Sequence, residues 1–223
     1  MNRLAIFDCD GTLVDSQANI CRAMAEAFEI ERLTPPEDMA IRRVVGLSLV
    51  EAMRALLPGE APALHVRLGE TYKRAFQQMR GAGLVEEPLF PGIADCLATL
   101  DAEGWLLAVA TGKSDRGLLH CLDYHGLSKL FVSLQTADRH PSKPHPSMIH
   151  QAMADAGAVP ETTAMIGDTS FDIGMAIAAG CSAIGVAWGY HAADELFAEG
   201  ADYVADSPGQ LSAILGTAIA APR

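Results

Sequence analysis

Asp8-Cys9-Asp10-Gly11-Thr12 places two carboxylates two residues apart, directly behind the apolar run Leu4–Phe7. An extended backbone sends residues i and i+2 to the same side, so both acids would face one pocket. Two carboxylates that close are costly unless a cation lies between them or one of them holds a proton. Gly11 permits a sharp turn after them. A single Asp here would be explained as a helix cap, but a pair followed by Gly-Thr is poorly explained that way. A second acidic pair, Asp168 and Asp172, follows the apolar run Ala164–Ile166. Four residues apart at a helix start, they can share one face. They can equally be a cap and a first-turn acid favoured by the helix dipole.

Two further segments offer groups of opposite character. Thr111-Gly112 follows the apolar run Leu106–Ala110 and presents a hydroxyl and backbone N–H groups, which suit an anion. Alone it is also an ordinary helix start. Lys143 lies in Ser142-Lys143-Pro144-His145-Pro146, where the prolines stiffen the loop and fix its direction; a lone lysine is otherwise a solvated charge. His140 and His145 match no zinc spacing and read as loop or rim residues. Taken together, three carboxylates at two strand ends call for a divalent cation. Hard oxygen ligands favour Mg²⁺ over zinc. A hydroxyl, backbone amides and one lysine beside it suit the equatorial oxygens of a phosphoryl group.

These residues need a scaffold that brings distant segments to one edge. Short apolar runs at Leu4–Phe7, Leu106–Ala110, Leu130–Leu134, Ala164–Ile166, Ala183–Ala187 and Tyr203–Ala205 read as buried strands. Helical periodicity falls between them at Ile93–Ala102, Arg116–Tyr124, Ser147–Ala156 and Ile173–Ala179. Alternation of this kind predicts an α/β fold with a parallel sheet covered on both faces, and such sheets bind ligands at their carboxyl edge. The stretch 16–88 breaks the pattern: helix formers at Ile20–Glu29, Leu49–Leu57 and Leu64–Met79 predict an insertion of three or four helices. The apolar C-terminal segment Leu211–Ala221 predicts a helix used for core packing or for an interface.

The 223 residues are 50% hydrophobic and 20% charged, enough for a well-buried globular core. Sixteen Lys and Arg against 28 Asp and Glu leave a net charge of −12, which disfavours nucleic-acid and basic membrane-surface partners. Five scattered cysteines without C-x-x-C spacing fit a reducing compartment. No apolar run approaches the ~20 residues of a membrane span. A cytoplasmic protein acting as a monomer or homodimer on a small metabolite is expected.

The order Asp-x-Asp-Gly-Thr, Thr-Gly, Lys-Pro, Gly-Asp-x-x-x-Asp, spread over Leu4 to about Leu215, resembles the haloacid dehalogenase superfamily in its phosphatase branch. The helical insertion is similar to the α-helical cap of phosphoglycolate phosphatases and β-phosphoglucomutases. The resemblance implies a Rossmann-like core over 1–15 and 89–223 with a substrate-selecting cap over 16–88. It implies that Asp8 is the nucleophile, that Asp10 is the general acid and base, and that Thr111, Gly112 and Lys143 hold the phosphoryl group. Mg²⁺ would be held by Asp8, the backbone carbonyl of Asp10, Asp168 and, directly or through water, Asp172. Lys143 would also pair with Asp8. The presence of Asp10 disfavours dehalogenase or phosphonatase chemistry. Val45-Gly46-Leu47-Ser48 resembles the family's specificity loop, so Gly46 and Ser48 are expected at the substrate; an interhelical turn with Ser48 as its cap is the other reading. Arg42, Arg43, Lys73 and Arg74 are candidate contacts for a second anionic group. The function implied is a Mg²⁺-dependent phosphatase for a small, phosphoglycolate-like monoester. A phosphosugar mutase and a non-catalytic binding module are the alternatives, and the mutase is disfavoured by Leu49 where those enzymes usually carry Arg.

Overall fold

The structure, a computed structural model, describes residues 1–220. The chain runs β1 (Leu4–Phe7), then four helices, α1 (Gln17–Ile30), α2 (Asp38–Arg42), α3 (Leu49–Leu56) and α4 (Pro62–Gly81). It continues through α5 (Ile93–Ala102), β2 (Leu106–Thr111), α6 (Asp115–Tyr124), β3 (Phe131–Thr136) and α7 (Ser147–Ala156). The rest is β4 (Thr163–Gly167), α8 (Ser170–Ala179), β5 (Ser182–Val186), α9 (Ala193–Glu199), β6 (Tyr203–Ala205) and α10 (Leu211–Ala220).

All six strands are parallel, in the order β3-β2-β1-β4-β5-β6. β1 is central and apolar at every position because both of its faces are covered. Leu97, Leu118 and Leu215, from α5, α6 and α10, pack on one face. Ile149, Ile173 and Leu196, from α7, α8 and α9, pack on the other. After β1 the chain builds outward through β2 and β3, then returns to lay β4 on β1's other side. That reversal opens a crevice at the carboxyl edge between β1 and β4.

Beyond single-residue shifts at the ends of β4, β5 and α6, the elements depart from the apolar pattern in three places. β2 extends through Thr111, so this hydroxyl ends the strand instead of following it. β3 begins one residue later than its apolar run and continues through Gln135 and Thr136. Its polar side chains survive burial because Asp155 accepts from Ser133 Oγ at 2.7 Å and from Gln135 Nε2 at 2.9 Å. α8 begins at Ser170, three residues ahead of its apolar stretch, because Thr169 and Asp172 form a capping box.

Helices α1–α4 are joined by their own apolar cluster, with Met24, Phe28, Ile41, Met53 and Leu68 at its centre. The two strands of chain linking these helices to the sheet are zipped together. Val14 bridges Leu89 in antiparallel fashion; the Asp15 amide donates to the Pro88 carbonyl at 2.9 Å, and the Phe90 amide to the Leu13 carbonyl at 3.0 Å. In α10, Leu211 and Leu215 are buried in the core, as the packing reading expects; Ala221 of the expected helix lies outside the described residues. Among the described residues no helix is long and apolar enough to cross a membrane.

Candidate active site

Asp8 extends the sheet by one residue, its amide donating to the Ile166 carbonyl at 2.9 Å. The chain then turns, and the Cys9 carbonyl accepts from the amides of Leu13 and Val14 at 2.9 and 3.0 Å. Gly11 occupies the left-handed region at φ +87, and a Cβ there would lie 2.2 Å from Asp168 Oδ2. Only glycine lets the two strand ends approach so closely. Asp168, directly beyond β4, accepts from Thr12 Oγ1 at 2.8 Å and from the Tyr190 amide at 2.9 Å.

Beneath them Lys143 is almost fully buried, its ammonium 2.9 Å from Asp8 Oδ1 and 2.6 Å from Asp172 Oδ1. The expected pairing of Lys143 with Asp8 is therefore present, and Lys143 grips Asp172 as well. Asp172 is the first-turn acid of α8, but the cap is Thr169 and not Asp168, which lies ahead of the helix: one oxygen of Asp172 accepts from the Thr169 amide and hydroxyl, and the other meets Lys143. Asp8, Asp168 and Asp172, all buried, each offer an oxygen within 4.8 Å of the others.

One ammonium thus serves two of the three buried carboxylates, Asp8 and Asp172. Burial pushes the Asp8 carboxyl up from its ordinary 3.8 to about 7; Lys143 pulls it down, while Asp172 and Asp10 add to the rise. Asp168 is raised well above the carboxylate range by burial, then by its neighbours Asp172 and Asp8. Burial also works against the charge of Lys143, but Asp172 and Asp8 outweigh it and hold the ammonium above the usual lysine range. Asp8 Oδ2 is buried and has no hydrogen-bond partner. A cluster short of positive charge, with one oxygen unpartnered, fits a divalent cation with oxygen ligands.

Asp10 points elsewhere. Its carboxyl accepts from Ser16 Oγ and lies 2.8 Å from the Lys113 ammonium. The Asp10 carboxyl is therefore not one of the three clustered acids. Lys113 in turn lies 2.6 Å from Glu87, which also holds Arg80 at 2.8 Å. The chain Asp10–Lys113–Glu87–Arg80 links the first turn after β1 to the end of α4. The sequence signalled none of it: Lys113 reads as part of a helix start, and Glu87 as one acid of a linker.

Asp8 and Asp10 form part of the floor of a cavity of about 320 Å³ roofed by α1–α4. Thr111, Gly112 and Gly46 line it as expected; Ser48 and the buried Lys143 do not. Ser48 heads α3, and its amide is held by Ser142 Oγ at 2.8 Å. Gly112 is where the two layers meet most closely: a Cβ there would lie 2.7 Å from the carbonyl oxygens of Gly46 and Leu47. Of the cations considered for a second anion, only Lys73 lines the cavity. Arg42, Arg43 and Arg74 are exposed outside it, with Arg43 joined to Glu195 at 2.5 Å. His140 bonds Ser147 and Gln135 at 2.8 Å each, and His145 accepts from the Ser147 amide, so both stabilise their loop.

Known proteins align with this chain along most of its length. It is 38% identical to "Probable phosphatase IndB" of Dickeya dadantii (strain 3937), the alignment covering 98% of this chain and 94% of that protein. It is 30% identical to a phosphoglycolate phosphatase of Pasteurella multocida (strain Pm70), covering 96% and 98%. A crystal structure of a hydrolase from Pseudomonas syringae superposes with a TM-score of 0.84 at 26% identity, covering 97% of this chain and 99% of that one. The family pattern described as "Haloacid dehalogenase-like hydrolase" matches residues 5–186. With its parallel sheet, its acidic cluster at the carboxyl edge and these relatives, the chain belongs to the haloacid dehalogenase-like hydrolases.

Proposed function

We propose that the protein is a Mg²⁺-dependent phosphatase that hydrolyses a small organic phosphate monoester through an aspartyl-phosphate on Asp8. The observation that carries this reading is Asp8 itself, which belongs to the acidic cluster, lines the cavity, and keeps one oxygen free of any partner. Relatives named as phosphatases support the same reading. Residues 1–15 and 89–223 would form the catalytic core and 16–88 the cap that selects the ester.

Asp8 attacks phosphorus in line, and the bond to the ester oxygen breaks. Asp10, facing the cavity, gives the departing alkoxide its proton, then takes one from the water that attacks the aspartyl-phosphate, releasing phosphate and restoring Asp8. Lys113 and Ser16 orient Asp10 by holding the same oxygen, Oδ1. Thr111, the Gly112 amide and Lys143 neutralise charge on the transferring group. Asp8, the Asp10 carbonyl, Asp168 and Asp172 would hold Mg²⁺, which when bound supplies positive charge against the phosphoryl oxygens and keeps Asp8 ionised.

The test is phosphate release from a panel of monoesters by wild type and Asp8→Asn. Asn at that position cannot attack, so release should vanish while the circular dichroism spectrum is kept. Residual turnover above one per cent of wild type, roughly 3 kcal/mol of barrier, contradicts the assignment. EDTA should silence wild type, and added Mg²⁺ should restore it.

A further inference from the structure

The cavity over Asp8 has a polar floor and an apolar roof. Met24, Ile41, Val45, Leu49, Tyr72 and Phe76 face the acids across it. Its volume of about 320 Å³ is roughly twice the ~150 Å³ that accommodates a benzene molecule in a protein interior. Phosphate alone would leave most of that space empty, and so would a two-carbon alcohol.

Three of the four cations in the lining, Lys73, Arg80 and Lys113, already pair with acids. Lys113 sits between Asp10 and Glu87 at 2.8 and 2.6 Å, and Arg80 is held by the same Glu87 at 2.8 Å. Lys73 is partly exposed and pairs with Glu70 at 3.0 Å. Arg116, the remaining basic residue of the lining, is exposed. Apart from the exposed Arg116 and the partly exposed Lys73, a carboxylate beside the substrate's phosphate would have to draw Lys113 or Arg80 from Glu87. That would leave a 93%-buried carboxylate short of its partners.

Building on the phosphatase reading, we infer that the alcohol portion of the substrate is an uncharged, apolar group of about ring size. It would be seated against the roof formed by α1, α3 and α4, so that the enzyme prefers such an ester to a small carboxylate-bearing one. Affinity then comes from apolar surface removed from water. Val45 and Leu49 flank the Gly46 turn that touches Gly112, so filling the roof also favours the closed arrangement of the two layers.

The experiment compares three esters of primary alcohols: 2-phenylethyl phosphate, ethyl phosphate and 2-phosphoglycolate, with Mg²⁺ saturating. 2-Phenylethyl phosphate should exceed both others at least tenfold in kcat/KM, mainly through KM. Ala52→Leu, which narrows the cavity from α3, should remove most of that advantage while ethyl phosphate turnover stays within threefold of wild type. Leu49→Ala, which cannot overfill the roof, should raise KM for the aromatic ester several-fold. A preference for 2-phosphoglycolate, lost in Arg116→Ala, overturns the inference and leaves the phosphatase reading standing. So does an equal loss on all three esters in Ala52→Leu. Release of phosphate from none of the three counts against the phosphatase reading itself, and the inference falls with it.

Discussion

Lys143→Met isolates the charge that holds the acidic cluster together, because methionine keeps much of lysine's length and loses only its ammonium. In the folded protein that ammonium lies 2.9 Å from Asp8 and 2.6 Å from Asp172, with no solvent reaching it. Removing one partner of a buried ion pair costs about 3–5 kcal/mol, since the remaining charge is left uncompensated. For a chain of this length each kcal/mol moves Tm by about 2–4 °C, so the metal-free variant should melt roughly 6–20 °C below wild type. Mg²⁺ offers the same carboxylates another positive charge, so the deficit should shrink when it is added. Turnover should not recover, because the transferring phosphoryl group has lost its lysine. Thermal unfolding followed by circular dichroism, with EDTA and with Mg²⁺, tests both parts. A metal-free Tm within 2 °C of wild type would show that the three acids do not depend on this ammonium. An equal deficit in both buffers would show that they do not gather around a cation.

The pH dependence of Mg²⁺ binding has a definite sign. Below about 7 the ion must displace a proton from Asp8, so calorimetric titration should find binding roughly tenfold tighter at pH 8 than at pH 6. Between pH 3.8 and about 7 the folded protein holds a proton at Asp8 that the unfolded chain has released. This group's contribution to metal-free stability therefore declines as pH rises through that window. Asp10→Asn should cut kcat about 10²–10⁴-fold on alkyl esters, but far less on p-nitrophenyl phosphate in the phosphorylation step, whose leaving group needs no proton; equal losses would remove the acid role. Gly112→Ala would set a methyl 2.7 Å from the Gly46 and Leu47 carbonyls. Overpacking of about 1–3 kcal/mol should lower Tm by roughly 2–12 °C, and kcat/KM should fall because Gly112 lines the cavity.

The sheet and the strand-end residues were legible because each is a local signal. Buried parallel strands need unbroken apolar runs, and Asp8, Thr111 and Asp168 stand directly at the ends of such runs. The strand limits were less so: Gln135 and Thr136 belong to β3 only because Asp155 and Asp115 satisfy them from other elements. α2 has five residues, too few for a period to show. The Lys113–Glu87 pair escaped because neither residue's type nor spacing marks it; folding alone brings the segment after α4 against the turn after β2. Of the two readings of Ser48, the structure favours the interhelical turn, with Ser48 at the head of α3; a turn motif fixes where the backbone bends but not which of its side chains reaches the cavity.

The zipped crossings at Val14–Leu89 and Asp15–Pro88 carry a consequence for how the molecule can be altered. Departure and return points lie within one hydrogen bond of each other, so the sheet has no span to bridge if the four helices are removed or replaced. A different helical bundle grafted between them would inherit the same reactive floor. If the roof selects the ester as proposed, exchanging it whole would change specificity, provided the new bundle again supplies a partner such as Arg80 for Glu87.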